Sequence, residues 1–220
     1  MANYSSSVPS SAALGINKVL RNTYLLLSMT LIFSALTAGL SMMANVGFAV
    51  SMGCSFGAMA MIWFVLPRVA QSSAGIAVVF AITGLLGFGL GPMLNAYLQL
   101  GNGAEIIATA LGGTGVIFLA LSGYVLTTRR DFSFMGGFLV VGLVIAVVAM
   151  LANIFLAIPA LSLAISAAII LIMSGLILFD TSRIIHGGET NYIMATVSLY
   201  LSLYNIFVNL LAILGMSSDD

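Results

Sequence analysis

The stretch FMGGFLVVGLVIAVVAMLANI, Phe134–Ile154, contains no charged side chain. A bilayer core about 30 Å thick is crossed by ~20 apolar residues rising 1.5 Å each, so this run is long enough to span it. It is continuous, not the ~10-residue alternation of a membrane barrel strand, and backbone satisfaction in hydrocarbon therefore makes it a helix. The same reading applies to Tyr24–Met43, Val46–Leu66, Ala74–Leu94, Ile106–Leu126, Ala160–Phe179 and Tyr192–Leu214, which makes seven windows in all. The expected fold is thus an all-α membrane protein, a bundle of seven transmembrane helices. The joins are short and carry breakers: Asn45, Pro67, Gly101–Gly103, Pro159 and Gly187–Gly188. The last window differs from the others, because its polar stripe would also suit a segment that enters the protein without meeting lipid.

Composition agrees. Of 220 residues 61% are hydrophobic and 5% charged, against about 25% charged in a soluble domain, and the mean hydropathy is +1.21. Zero net charge and the lack of a basic run exclude nucleic acid as a partner, since its binders cluster Lys and Arg against phosphates. The lipid bilayer is the first partner implied. The single cysteine, Cys54, lies in an apolar run and reads as a small buried hydrophobe. The Ser-rich start lacks the basic beginning of a secretory signal, and the apolar run after Lys18 and Arg21 is too long for one, so it reads as an uncleaved first span.

All six basic residues fall on one side of this topology. Lys18 and Arg21 precede the first span, Arg68 follows the second, Arg129 and Arg130 the fourth, and Arg183 the sixth. The opposite connections hold none. By the positive-inside rule the N-terminus is cytoplasmic, and an odd number of spans puts the C-terminus on the opposite face. The chain then divides into a flexible cytoplasmic tail (1–22), a seven-helix membrane domain (23–215) and a short polar C-terminal tail (216–220). Gly53 with Gly57, and Gly87 with Gly91, are small-xxx-small pairs that let helix backbones approach inside the bundle.

Polar groups are costly in a membrane, so the place where this chain gathers them is the place to look for function. Asp180, Arg183, His186 and Glu189 fall close together after the sixth window. In the seventh, Ser198, Ser202, Asn205 and Asn209 step by helical spacing along one face, and Tyr200 and Tyr204 form an i,i+4 pair. Asp180 is either a latch whose protonation moves helices or the partner of Arg183, on the same helical face, in a helix-end salt bridge. His186 is either a pH sensor or a solvated loop residue bonded to Glu189. The Ser/Asn face is either interhelical glue or the lining of an ion path. One histidine and one cysteine, far apart, do not make a zinc site, and no nucleophile is paired with a base. The chain therefore reads as non-enzymatic and without a cofactor.

Thr127-Thr128-Arg129-Arg130-Asp131-Phe132-Ser133-Phe134, then Phe179-Asp180 before a basic loop, then Ser198-Leu199-Tyr200-Leu201 with Asn205-Ile206-Phe207 and Asn209-Leu210-Leu211, resemble the Bax inhibitor-1 (transmembrane Bax inhibitor motif) family from Lys18 to Gly215. Within that family, Ile184–Tyr192 looks most like a proteobacterial branch that modulates a membrane-anchored ATP-dependent protease of the FtsH type. The resemblance implies a bundle with its last helix central and an inner-membrane location. It also implies two activities: restraint of that protease, or a pH-sensitive leak of calcium or protons gated by an aspartate pair bridging the last two helices. Asp180 matches the first aspartate of the pair, and Ser202 stands at the second. A carboxylate facing a serine lacks the charge repulsion that makes such a pair respond to pH, and calcium prefers six to eight oxygens. Asp180 is therefore at most a weak calcium contact, no metal site is assigned, and the protease reading leads. Gating or latch candidates are Asp180, Arg183, Ser202, Asn205 and Asn209.

Overall fold

Helix satisfies every backbone N–H and C=O within one segment, which hydrocarbon demands. The computed structural model describes residues 11–216, and each expected window is helical in it except for Val46 and Gly47 at the start of the second. The helices are α1 (Ser11–Met43), α2 (Phe48–Ala60), α3 (Leu66–Val69), α4 (Ala74–Leu98), α5 (Gly103–Thr128), α6 (Gly136–Leu156), α7 (Pro159–Ile185) and α8 (Tyr192–Met216). By length and composition seven helices suffice to cross a membrane, α8 among them.

Pro67, expected to break the chain, does not. A π-helical turn, Met61–Val65, joins α2 to α3, so Phe48–Val69 is one crossing. Proline has no N–H and its ring crowds the carbonyl four residues back, and widening the preceding turn relieves both defects without ending the helix. The expected tail 1–22 is also partly helix, since α1 begins at Ser11. Val19 and Leu20 already pack against the core, which extends the helix below the apolar window. The rest of that tail, and all but Met216 of the C-terminal one, lie outside the described residues.

α8 touches α1, α4, α5 and α7, so the last helix is central, with α4 beside it. α2 and α6 are peripheral: among the described helical crossings each packs on one neighbour, α4 and α7 respectively. Their outward faces carry Phe48, Phe56, Phe138 and Phe155, all exposed as lipid-facing side chains are. The loops with the basic residues meet at one end of the bundle. The Phe132 N–H donates to Ser182 Oγ at 2.9 Å, tying the α5–α6 loop to α7, and Asn191 Nδ2 donates to the Ala70 carbonyl at 2.9 Å, tying the α7–α8 loop to the end of α3.

Candidate functional site

The polar cluster forms where α7 ends and α8 begins. Asp180 lies on α7 and is buried. Its Oδ2 accepts a hydrogen bond of 2.5 Å from Ser198 Oγ on α8. The expected opposite residue, Ser202, is buried one turn further along α8. The hairpin geometry explains the difference. Asp180 is five residues from the end of α7 and Ser198 six from the start of α8, depths of roughly 7.5 and 9 Å at 1.5 Å per residue, whereas Ser202 is roughly 15 Å deep.

Arg183 does not pair with Asp180. Its Nη2 lies 3.6 Å from Glu189 Oε2, donates to the Gly188 carbonyl at 3.2 Å, and its guanidinium sits 5.5 Å from the centre of the Phe179 ring. The turn that brings Glu189 back runs through Gly187 at φ +76°, a left-handed conformation natural to glycine. Pairing in this half-exposed loop spares Arg183 the cost of entering the bundle, and such pairs contribute at most about 1 kcal/mol.

His186 is held by Ser182, not by Glu189: Nδ1 lies 2.9 Å from the Ser182 carbonyl and 3.3 Å from its hydroxyl. Ser182, fully buried, is the hub of this corner, since its hydroxyl also meets the Phe132 N–H and Asp131 Oδ1. Hydrogen bonds from the hydroxyl and backbone N–H of Ser133 hold the Asp131 carboxyl below its ordinary pKa of 3.8. A depressed carboxylate pKa contributes stability above the unfolded value and loses it as pH falls through the folded one. Amide exchange at Ser133 is therefore expected to accelerate only below about pH 3.8, beyond the intrinsic trend, and Asp131→Asn should remove that acid step.

The two asparagines of the α8 stripe bond within their own helix. Asn205 Nδ2 donates to the Leu201 carbonyl and Asn209 Nδ2 to the Asn205 carbonyl, each at 2.8 Å. Further bonds from α8 to other helices come from Tyr200, whose hydroxyl meets Ser34 Oγ at 2.6 Å and donates to the Thr83 carbonyl at 3.3 Å, and from Thr196 Oγ1, which donates to the Thr23 carbonyl at 3.3 Å. Asn191 is a structural part of this corner that the polar cluster concealed. Its Oδ1 accepts from the N–H groups of Ile193 and Met194 at 2.9 and 3.2 Å, capping α8, while Nδ2 reaches Ala70. An Asn immediately before an apolar run is the N-cap signal that would have found it. Asn191→Ala is expected to cost about 2 kcal/mol, a cap plus one tertiary hydrogen bond, read as a lowered unfolding midpoint in detergent. Ser182 has no such signal.

These features define a multi-pass helical membrane protein whose last two helices are joined by a buried carboxyl–hydroxyl bond. The family model described as Inhibitor of apoptosis-promoting Bax1 matches residues 16–219, and the chain belongs to this Bax inhibitor-1 family. It is 56% identical over 98% of both chains to the Modulator of FtsH protease YccA of Escherichia coli. An uncharacterized membrane protein of Vibrio cholerae is 50% identical, covering 93% of this chain and 92% of its own. An uncharacterized protein of Neisseria meningitidis is 38% identical over 93% of both.

Proposed function

We propose that this protein resides in a bacterial inner membrane and restrains a membrane-anchored ATP-dependent protease of the FtsH type, without being an enzyme itself. The observation that carries this reading is the end-to-end identity to the Escherichia coli modulator, at 56% over 98% of each chain. The site geometry agrees with it. Asp180 meets the Ser198 hydroxyl and not a second carboxylate, so the site lacks the repelling pair of charges of the leak-type pattern. Its bond to α8 is a clasp between helices. The N-terminus lies in the cytoplasm beside the basic loops and the C-terminus in the periplasm. The Ser-rich residues that precede α1 in the sequence are the segment that an unfoldase would grip.

The test is overproduction of the full chain in cells carrying the protease, with pulse-chase of a second substrate. The substrate is expected to persist longer, and deletion of Ala2–Ser11 to slow the protein's own turnover. Unchanged lifetimes in both measurements overturn the reading. Cysteine labelling at each terminus in intact cells checks the topology. The burial of Asp180 between α7 and α8 favours one second reading, a cation leak controlled at that residue. Flux of calcium or protons in liposomes at two pH values, lost in Asp180→Asn, would support it, and no flux in the parent protein removes it.

A further inference from the structure

α1 and α5 both flank α8, yet among the described residues their backbones do not approach each other. What joins them lies toward the basic end, where the Tyr24 hydroxyl bonds to that of Ser122 and the Tyr24 ring packs 5.8 Å from Phe118. Toward the opposite end the gap opens into a cavity of about 410 Å³. Its walls include Ala38 and Gly39 on α1, Leu90 on α4, Leu111 and Gly115 on α5, and Leu203 and Phe207 on α8. None of the lining residues is charged. The Tyr200 hydroxyl is already bonded to Ser34 and Thr83, so Tyr200 contributes to the wall through its ring.

Shape and surroundings select the occupant. The lining extends along α1 from Leu31 to Met42, roughly 16 Å at 1.5 Å per residue. An apolar slot of that length suits a single extended hydrocarbon chain. Leu31 on α1 and Leu111 on α5, which line the slot at its rim, are 38% and 57% exposed and lie within membrane-spanning helices. The opening therefore gives onto bilayer hydrocarbon, and its size and apolar lining are those of a ligand site.

We propose that this slot binds one acyl chain of a phospholipid from the leaflet opposite the basic loops, bringing lipid into direct contact with the central helix α8. Leu203 and Phe207 are only 4% and 8% exposed, so contact with ordinary surrounding lipid does not reach them. Chain occupancy of the slot is independent of the protease reading and survives its failure.

The experiment reconstitutes the full chain in phosphatidylethanolamine–phosphatidylglycerol vesicles containing a phosphatidylcholine with a diazirine midway along one acyl chain. After illumination, mass spectrometry locates the adducts. Labelling is expected on α8 at Leu203–Phe207 as well as on the outward faces of α2 and α6. Gly39→Phe and Gly115→Phe, on opposite walls and each with open space where a Cβ would go, are each expected to abolish the α8 adducts and spare those on α6. Two variants on separate helices keep the test decisive if one fails to fold, and the unfolding midpoint of each is the control. Adducts confined to the outward faces in the parent protein, or α8 adducts that persist in both folded variants, overturn the proposal.

Discussion

Gly87→Val is expected to separate α1 from α4 and to lower the unfolding midpoint in detergent by ~6–12 °C, equivalent to about 3 kcal/mol for a chain of this size. A Cβ at position 87 would overlap the Ser34 carbonyl oxygen, the Ser34 hydroxyl and the Thr37 hydroxyl. Backbone cannot yield as the end of a flexible side chain can, so α1 as a whole must shift. That shift also pulls Ser34 Oγ away from the Tyr200 hydroxyl, now 2.6 Å distant, and loosens α8. The comparison is Gly53→Val, where a Cβ meets nothing within 4 Å and the expected change is within about 0.5 kcal/mol. Equal loss in both variants would mean that helix propensity, not close approach, governs these positions.

That contrast shows what a linear sequence reveals. The Gly53/Gly57 and Gly87/Gly91 pairs have the same spacing, and spacing predicts close packing for both. Gly87 and Gly91 do lie against Ser34 and Ser41 of α1, whereas a Cβ at position 57 would meet Leu85 at an ordinary 3.8 Å. Which face of a helix meets protein and which meets lipid depends on its neighbours, because lipid tails are as apolar as a core and leave no mark in the hydrophobic pattern. The spans themselves were legible because hydrocarbon imposes a length and a conformation on each segment separately. The depth match of Asp180 with Ser198 depends on where both helices end, and boundaries are the least certain part of a sequence reading. The slot between α1 and α5 is a property of two helices that fail to meet, and no residue motif encodes that.

Ser198→Ala is expected to cost about 2–3 kcal/mol, because it strands the Asp180 carboxyl in a buried site without its donor, and the penalty for a buried group left unpaired exceeds the net worth of the bond. Asp180→Ala removes the acceptor and leaves a small hydroxyl that can turn to its own helix carbonyl, as Thr196 does with Tyr192. The double variant Asp180→Ala/Ser198→Ala should then be no worse than Ser198→Ala alone, since it removes the stranded carboxyl together with its donor. A cycle of unfolding midpoints, converted to free energy, is expected to give a coupling of roughly 1–3 kcal/mol. The same cycle with Ser202 in place of Ser198 should give coupling near zero, because Asp180 draws its bond from the shallower serine. Strong coupling at Ser202 would mean that α8 sits one turn away from the register described, and that the aspartate and the position matching its family partner do face each other.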